Sequence, residues 1–257
     1  MLRVSNLALS YPLDAERRFE IFHDVNFEVQ DGEILGVFGP NGCGKSSLLR
    51  AVAGLLPHEA GQVEMKSSSG SQTMAFIPQD FRESFFPWTS VAGNIRMCLP
   101  REQPLCRREA DVRLAATKER LDITLNTHLR PGACSGGMLQ QAAIMRAFFV
   151  EPAVILADEP FSALDVSILS RLRRRFVQLI RDNGIAAMIV LHKLEDLMEV
   201  CDRVLVIGQR PFSLNGNGEG AVLLPNRKGR SQSSENRESF IQMARELFDD
   251  VPLREQA

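Results

Sequence analysis

Residues 39–47 read GPNGCGKSS, and their types and spacing suit one task, the holding of a polyphosphate. Gly39, Pro40, Asn41, Gly42, Cys43, Gly44, Lys45 and Ser46 fit the pattern G-x-x-x-x-G-K-[ST]. In that pattern the glycines let successive backbone N–H groups turn toward phosphate oxygens. Lys45 adds a point charge, a helix following the loop adds its N-terminal dipole, and the Ser46 hydroxyl can ligate Mg²⁺. A second chemical group closes the apolar run VILADEP, where Asp158 and Glu159 stand side by side. Two acids after a strand are, alone, compatible with a solvated turn. Beside a phosphate loop they acquire roles: Asp158 to hold Mg²⁺, Glu159 to orient an attacking water as general base. Together the two motifs point to nucleotide hydrolysis.

Other candidates are weaker singly. Gln79 and His192 each end an expected strand, where either can reach a γ-phosphate or simply be a satisfied polar side chain. Tyr11, the only tyrosine, can stack on a nucleotide base or pack against its neighbours. GACSGGM (132–138) is a second small, glycine-paired turn of the kind that wraps an anion, or a plain turn of small residues. Cys43 lies inside the phosphate loop near Lys45 and a helix start, a setting expected to lower a thiol pKa; the alternative is an inert small residue.

These residues need a scaffold, and the hydrophobic pattern supplies one. EILGVFG (33–39), TMAFIPQ (73–79), AVILADE (153–159), IAAMIVLH (185–192) and RVLVIG (203–208) read as strands. KSSLLRAVAGLL (45–56) has helical spacing, and the region 90–123 is expected to be mostly helical in two pieces, SVAGNIRMCL and CRREADVRLAATKERLDI. A further helix places Ile168, Leu172, Phe176 and Leu179 on one face and is stopped by the DNG at 182–184. Strands alternating with helices predict an α/β fold with a mainly parallel sheet and a helical insertion. KSSSGSQ (66–72) reads as a loop, the polar stretch 213–236 as a mobile loop, and 238–250 as a terminal amphipathic helix.

Composition sets the class. The 257 residues are enough for one large domain, 44% are hydrophobic and 24% charged, as in ordinary globular proteins. A net charge of −2 argues against nucleic acid as a partner. No run approaches the roughly 18 apolar residues of a membrane span, and the first residues lack a signal-peptide layout. The five cysteines show no metal spacing and are expected as free thiols.

Taken in order, Tyr11, GPNGCGKSS, Gln79, CSGGM, VILADEP, SALD (162–165) and His192 resemble the ATPase subunit of an ABC transporter over roughly residues 1–210. The resemblance implies a P-loop NTPase core, RecA-like with a mainly parallel sheet, an N-terminal antiparallel β subdomain and an inserted helical subdomain. It implies a single domain over 1–257, with the core in 1–85 and 141–210, the insertion and signature loop in 86–140, and a loop and helix in 211–257. It assigns ATP to Tyr11, which stacks on adenine, and to Gly39 through Ser47. It makes Lys45, Gln79, Glu159 and His192 catalytic, with Mg²⁺ held by Ser46, Gln79 and Asp158. Two such ATPase chains pack head to tail in the family, so Ser135, Gly136 and Gly137 complete the partner's ATP site and Asp165 belongs to the D-loop. The partner chain is a second copy or a closely related subunit.

PQDFRESFFPWTSVAGNI, Met138 and CDRVLVIGQRP narrow the resemblance to the nitrate, sulfonate and taurine importers. That implies a separate transmembrane permease, an extracytoplasmic solute-binding protein, a small anionic solute, and a peripheral place on the cytoplasmic face of the cell membrane. Phe85, Phe86 and Trp88 then either line the permease groove or belong to the core of the insertion. Cys134, Leu139, Gln141 and Lys193 depart from the family pattern without removing a catalytic group. Two other readings stand beside it. One is a soluble ABC-type ATPase acting as a scaffold, as in iron–sulfur assembly; the other, a small-molecule kinase, leaves CSGGM and SALD without work.

Overall fold

The computed structural model describes residues 1–14, 17–67, 70–99, 104–208, 210–214 and 221–225. In chain order the elements are β1 (Leu2–Pro12), β2 (Arg18–Val29), β3 (Ile34–Phe38), α1 (Lys45–Val52), β4 (Ala60–Met65), β5 (Met74–Ile77), α2 (Val91–Arg96) and α3 (Arg107–Arg120). There follow α4 (Gly136–Phe149), β6 (Val154–Asp158), α5 (Val166–Asp182), β7 (Ala186–Val190), α6 (Leu194–Val200), β8 (Arg203–Ile207), β9 (Phe212–Leu214) and β10 (Ala221–Pro225). Short 3₁₀ turns occupy Arg82–Ser84 and Pro131–Ala133. The described residues divide into two compact units: those within 1–2, 29–34 and 65–189 form the first, and the other described residues the second.

In the first unit the strand order is β7-β6-β5. β6 runs parallel to β5, from Met74 opposite Val154 to Ile77 opposite Ala157. Every residue of β6 and β7 is buried, as parallel strands covered on both faces require. α4 packs on β5, and α2 and α3 pack on α4. α5 buries Leu172, Phe176 and Leu179, while Ile168 is half-buried, and the Phe176 ring meets Phe148 and Phe161 edge-on at 5.3 Å each. Edge-to-face contact suits the ring quadrupole. Gly184 follows the helix with φ +61°, a left-handed turn that glycine adopts without a Cβ penalty and that stops the helix.

In the second unit β8 lies between β10 and β3, parallel to β3 and antiparallel to β10. A second sheet has the order β4-β1-β2-β9. β1 buries Leu2 and Val4, then Leu7 and Leu9, with half-buried positions between and a shift of the alternation at exposed Asn6, where φ is +51°. β9 joins β2 in parallel, so the N-terminal sheet, expected to be antiparallel, has a parallel edge.

One expectation is corrected. The stretch read as a mobile loop from 213 to 236 overlaps two strands, Phe212–Leu214 and Ala221–Pro225. β10 pairs with β8 from Ala221 opposite Ile207 to Pro225 opposite Arg203, satisfying backbone groups along that side of β8. Composition pointed to a loop because glycine and asparagine surround the short apolar run AVLLP. The two helical pieces expected in 90–123 are present as α2, which ends at Arg96, and α3, which starts at Arg107. The terminal helix expected at 238–250 lies outside the described residues.

Candidate functional site

In the second unit the phosphate loop connects β3 to α1. Its glycines are there for space and for backbone freedom. A Cβ on Gly39 would fall 2.2 Å from the Ile207 carbonyl oxygen, too close for any other residue. Gly44 has φ +109°, and its Cβ would meet Ile21 at 2.8 Å, so left-handed backbone and close packing coincide there. Gly44 also stands as the N-cap of α1 and brings no side chain to the free N–H groups of the first turn. Lys45 is only 7% exposed, and its Nζ donates to Gly39 O at 2.9 Å and to Pro40 O at 2.7 Å. The cation therefore sits over its own loop, where an anion would gain it as a partner. Asn41 and Gly42 are exposed and Ser46 is half-buried. Ser47 lies 3.2 Å, oxygen to oxygen, from the Tyr11 hydroxyl, which places the tyrosine beside the first turn of α1. His192 is exposed two residues past β7.

Cys43 departs from the expectation. It is 4% exposed, and burial, which disfavours the thiolate, pushes its pKa above the ordinary thiol value, outweighing the downward pull of Lys45. The helix-start setting that suggested a reactive thiol is overridden by desolvation.

In the first unit Asp158 ends β6 and is 1% exposed. Glu159 follows it with φ +51°, a left-handed conformation that costs a non-glycine residue about 1–3 kcal/mol. Gln79, just beyond β5, donates from Nε2 to Glu159 Oε1 at 2.8 Å, so two residues picked independently from the sequence are hydrogen-bonded. The Glu159 carbonyl oxygen accepts from the Ser162 N–H at 3.3 Å and from Gln140 Nε2 at 3.1 Å.

The signature turn begins with the 3₁₀ turn Pro131–Ala133 and ends at Ser135, the N-cap of α4, whose Oγ accepts from the Met138 N–H at 3.3 Å. Gly136 lies so near Arg82 that a Cβ would be 2.7 Å from the guanidinium, and a Cβ on Gly137 would be 3.1 Å from Ala163 O. Asp165, the N-cap residue of α5, is exposed and makes no side-chain cap. Phe85 is buried, with the Arg146 guanidinium 4.6 Å from its ring centre, so of the three aromatics only Phe86 and Trp88 are exposed; their rings lie 4.9 Å apart. Leu139 and Gln141, departures from the family pattern, are buried in α4.

Sequence reasoning missed Gln140 and Arg146. Gln140 is 1% exposed and fully engaged; Arg146 donates to Ser84 O and Ser84 Oγ, each at 2.7 Å. The available signal was a polar residue at a helical position whose neighbours are small and apolar, in QQAAIMRAFF.

The family profile described as ABC transporter matches residues 22–162, more than half of the chain. The chain belongs to the ABC transporter family. It is an ATPase of that family. Among similar proteins, the aliphatic sulfonates import ATP-binding protein SsuB 2 of Burkholderia cenocepacia is 37% identical over 196 residues, covering 74% of this ABC ATPase and 69% of that protein. The sulfate/thiosulfate import ATP-binding protein CysA of Mesorhizobium japonicum is 31% identical over 234 residues, covering 88% of this chain and 66% of that protein. A dimeric bacterial ABC transporter cassette shares the fold, with a TM-score of 0.69 at 23% identity over 80% of this chain and 94% of that one. No helix among the described residues of the ABC ATPase is long and apolar enough to cross a membrane.

Proposed function

We propose that this chain is the ATP-hydrolysing subunit of an importer for a small anionic solute, of the sulfonate, nitrate or taurine kind. The observation that carries the nucleotide part is Lys45, buried and held over the carbonyls of a loop shaped by Gly39 and Gly44. Import is supported by relatives named for the import of aliphatic sulfonates and of sulfate or thiosulfate. The domain plan is a core in 1–85 and 141–210, with 86–140 as the helical insertion.

In this reading Tyr11 stacks on adenine, and the loop Gly39, Pro40, Asn41, Gly42, Cys43, Gly44, with Lys45, Ser46 and Ser47, holds the phosphates. Glu159 orients water for in-line attack, His192 senses the γ-phosphate, and Lys45 stabilises the charge that develops there. Ser46, Gln79 and Asp158 offer a hydroxyl, an amide oxygen and a carboxylate, the hard oxygen donors that suit Mg²⁺. When bound, Mg²⁺ neutralises phosphate charge. Two copies pack head to tail, so that Ser135, Gly136 and Gly137 of each reach the other's ATP, with Asp165 beside them.

Phe86 and Trp88 form the face offered to a transmembrane permease, which is served in turn by an extracytoplasmic solute-binding protein. The chain then lies peripherally on the cytoplasmic face of the membrane. A tagged pull-down from native membranes in mild detergent, read by mass spectrometry, tests this. A polytopic permease among the captured proteins is the expected result. Capture of soluble assembly factors alone, with the chain absent from membranes, would replace the importer by a scaffold ATPase.

A further inference from the structure

We infer that Gln140 is a positioning residue for hydrolysis, clamping the catalytic carboxylate Glu159 to the helix that carries the signature turn. The inference rests on the ATPase reading and on contacts within the first unit.

The side chain has no freedom left. Gln140 Nε2 donates to Glu159 O at 3.1 Å and to Ser162 Oγ at 3.3 Å, while its Oε1 accepts from the Ala163 N–H at 2.6 Å. A side-chain amide offers two donor hydrogens and one acceptor oxygen, and all are engaged at a position 1% exposed. Such a network is rigid because breaking any arm leaves a buried polar group unpaired.

Its placement gives the rigidity a purpose. Glu159 holds a left-handed backbone that its own side chain does not favour, with φ +51°. The direction of its carboxylate depends on that backbone, and the carbonyl of the same residue is what Gln140 grips. Gln140 lies in α4, whose N-cap is Ser135, and Gly137 in the first turn approaches Ala163 O closely. A tilt or shift of α4 at its signature end is therefore passed through one rigid amide to Glu159 and to residues 162–163. Ligation of the signature turn and alignment of the attacking water become one event. Gln140 itself touches no reacting atom.

The test is Gln140→Met, which keeps length and volume and removes both hydrogen-bonding ends. The expected result is a fall in kcat of about 10²-fold, the scale of a small misplacement of a catalytic group. KM for ATP and the ATP-induced rise in Tm stay at wild-type values, because the phosphate loop is untouched. Amide hydrogen exchange at Ala163 speeds up. Gln140→Glu retains an acceptor for Ala163, which stays protected, but keeps a donor for Glu159 only while its buried carboxyl is protonated, so kcat falls as pH rises through that pKa.

An unchanged kcat in Gln140→Met, or kcat, ATP affinity and Tm declining together as for a damaged core, would overturn the inference. So would a full kcat in Gln140→Glu that does not change with pH. A wild-type protein lacking turnover would sink the ATPase reading instead. The clamp is still judged in that case, since unchanged Ala163 exchange in Gln140→Met rejects it.

Discussion

The phosphate loop at 39–44 and the signature turn at 132–138 are both short, glycine-bearing and followed by a helix, yet they are held by different means. In the first, the backbone does the work: Gly42 and Gly44 have φ of +78° and +109°, no side chain caps α1, and Lys45 is bound by carbonyls of its own loop. In the second, side chains do it. Ser135 caps α4, Gly136 accommodates Arg82 from the segment after β5, and Gly137 accommodates the carbonyl of Ala163. The phosphate loop reads as one contiguous motif because the hydrogen bonds of Lys45 stay within it, although Gly39 and Gly44 also pack against Ile207 and Ile21. A turn held by residues some fifty positions behind it and some thirty ahead does not.

The largest effect should come from the phosphate loop. Lys45→Ala removes the cation and frees two carbonyls, and it is expected to abolish both ATP hydrolysis and ATP-induced thermal stabilisation. For the wild type that stabilisation amounts to about 2.7 kcal/mol at a hundredfold excess of ATP over Kd. A Lys45→Ala protein that still gained Tm with ATP would remove the phosphate role from this loop.

Glu159→Gln comes next. The Oε1 that accepts from Gln79 survives in the amide, so the geometry is kept while the proposed base is lost. Turnover should fall by about 10²–10⁴-fold with ATP binding intact. Size-exclusion chromatography with ATP should then give a dimer. A monomer under those conditions would count against the shared site.

How much was legible follows from the same contrast. The five strands anticipated from apolar runs are present as β3, β5, β6, β7 and β8, because buried parallel strands need near-continuous hydrophobicity. The loop that ends in Lys45 was legible as a turn from strand to helix, since β3 and α1 flank it. The left-handed backbone of Glu159 and the triple engagement of Gln140 were not, since both depend on where distant segments meet. β9 and β10 were hidden by the polar, glycine-rich stretch around them, although their pairing needs only a few apolar residues beside strands already formed. Cys43 misled for a related reason: proximity to a lysine is visible in sequence, and depth of burial is not.

The signature turn offers a smaller, sharper test. Ser135→Ala removes the hydroxyl that accepts from Met138 N–H, a capping loss of about 1 kcal/mol. In a chain of this size that lowers Tm by about 2–4 °C. Ser135→Asp keeps a capping oxygen but sets a negative charge where the partner's γ-phosphate is proposed to lie. Its Tm should therefore stay near wild type while turnover collapses. If Ser135→Asp hydrolysed ATP normally, the turn would be a structural cap and nothing more.

The smallest effect is expected at Cys43, and its sign separates the two accounts of the loop. Burial raises the thiol pKa in the folded protein, with Lys45 only partly offsetting it. The contribution to stability is then complete below the unfolded thiol pKa of about 8.5, and it is lost as pH rises through the folded value, because only the unfolded chain gains by ionising. Tm should therefore decline above about pH 8.5, and Cys43→Ser should flatten the decline without erasing it, since burial raises the thiols of Cys98 and Cys134 as well. The same shift predicts chemistry. In a variant retaining Cys43 as its only cysteine, maleimide should react slowly at pH 7, faster at pH 9, and more slowly again with ATP bound. Reaction at pH 7 as fast as that of an exposed thiol would mean that the field of Lys45 and α1 outweighs desolvation, and the loop would then be electrostatically open rather than packed.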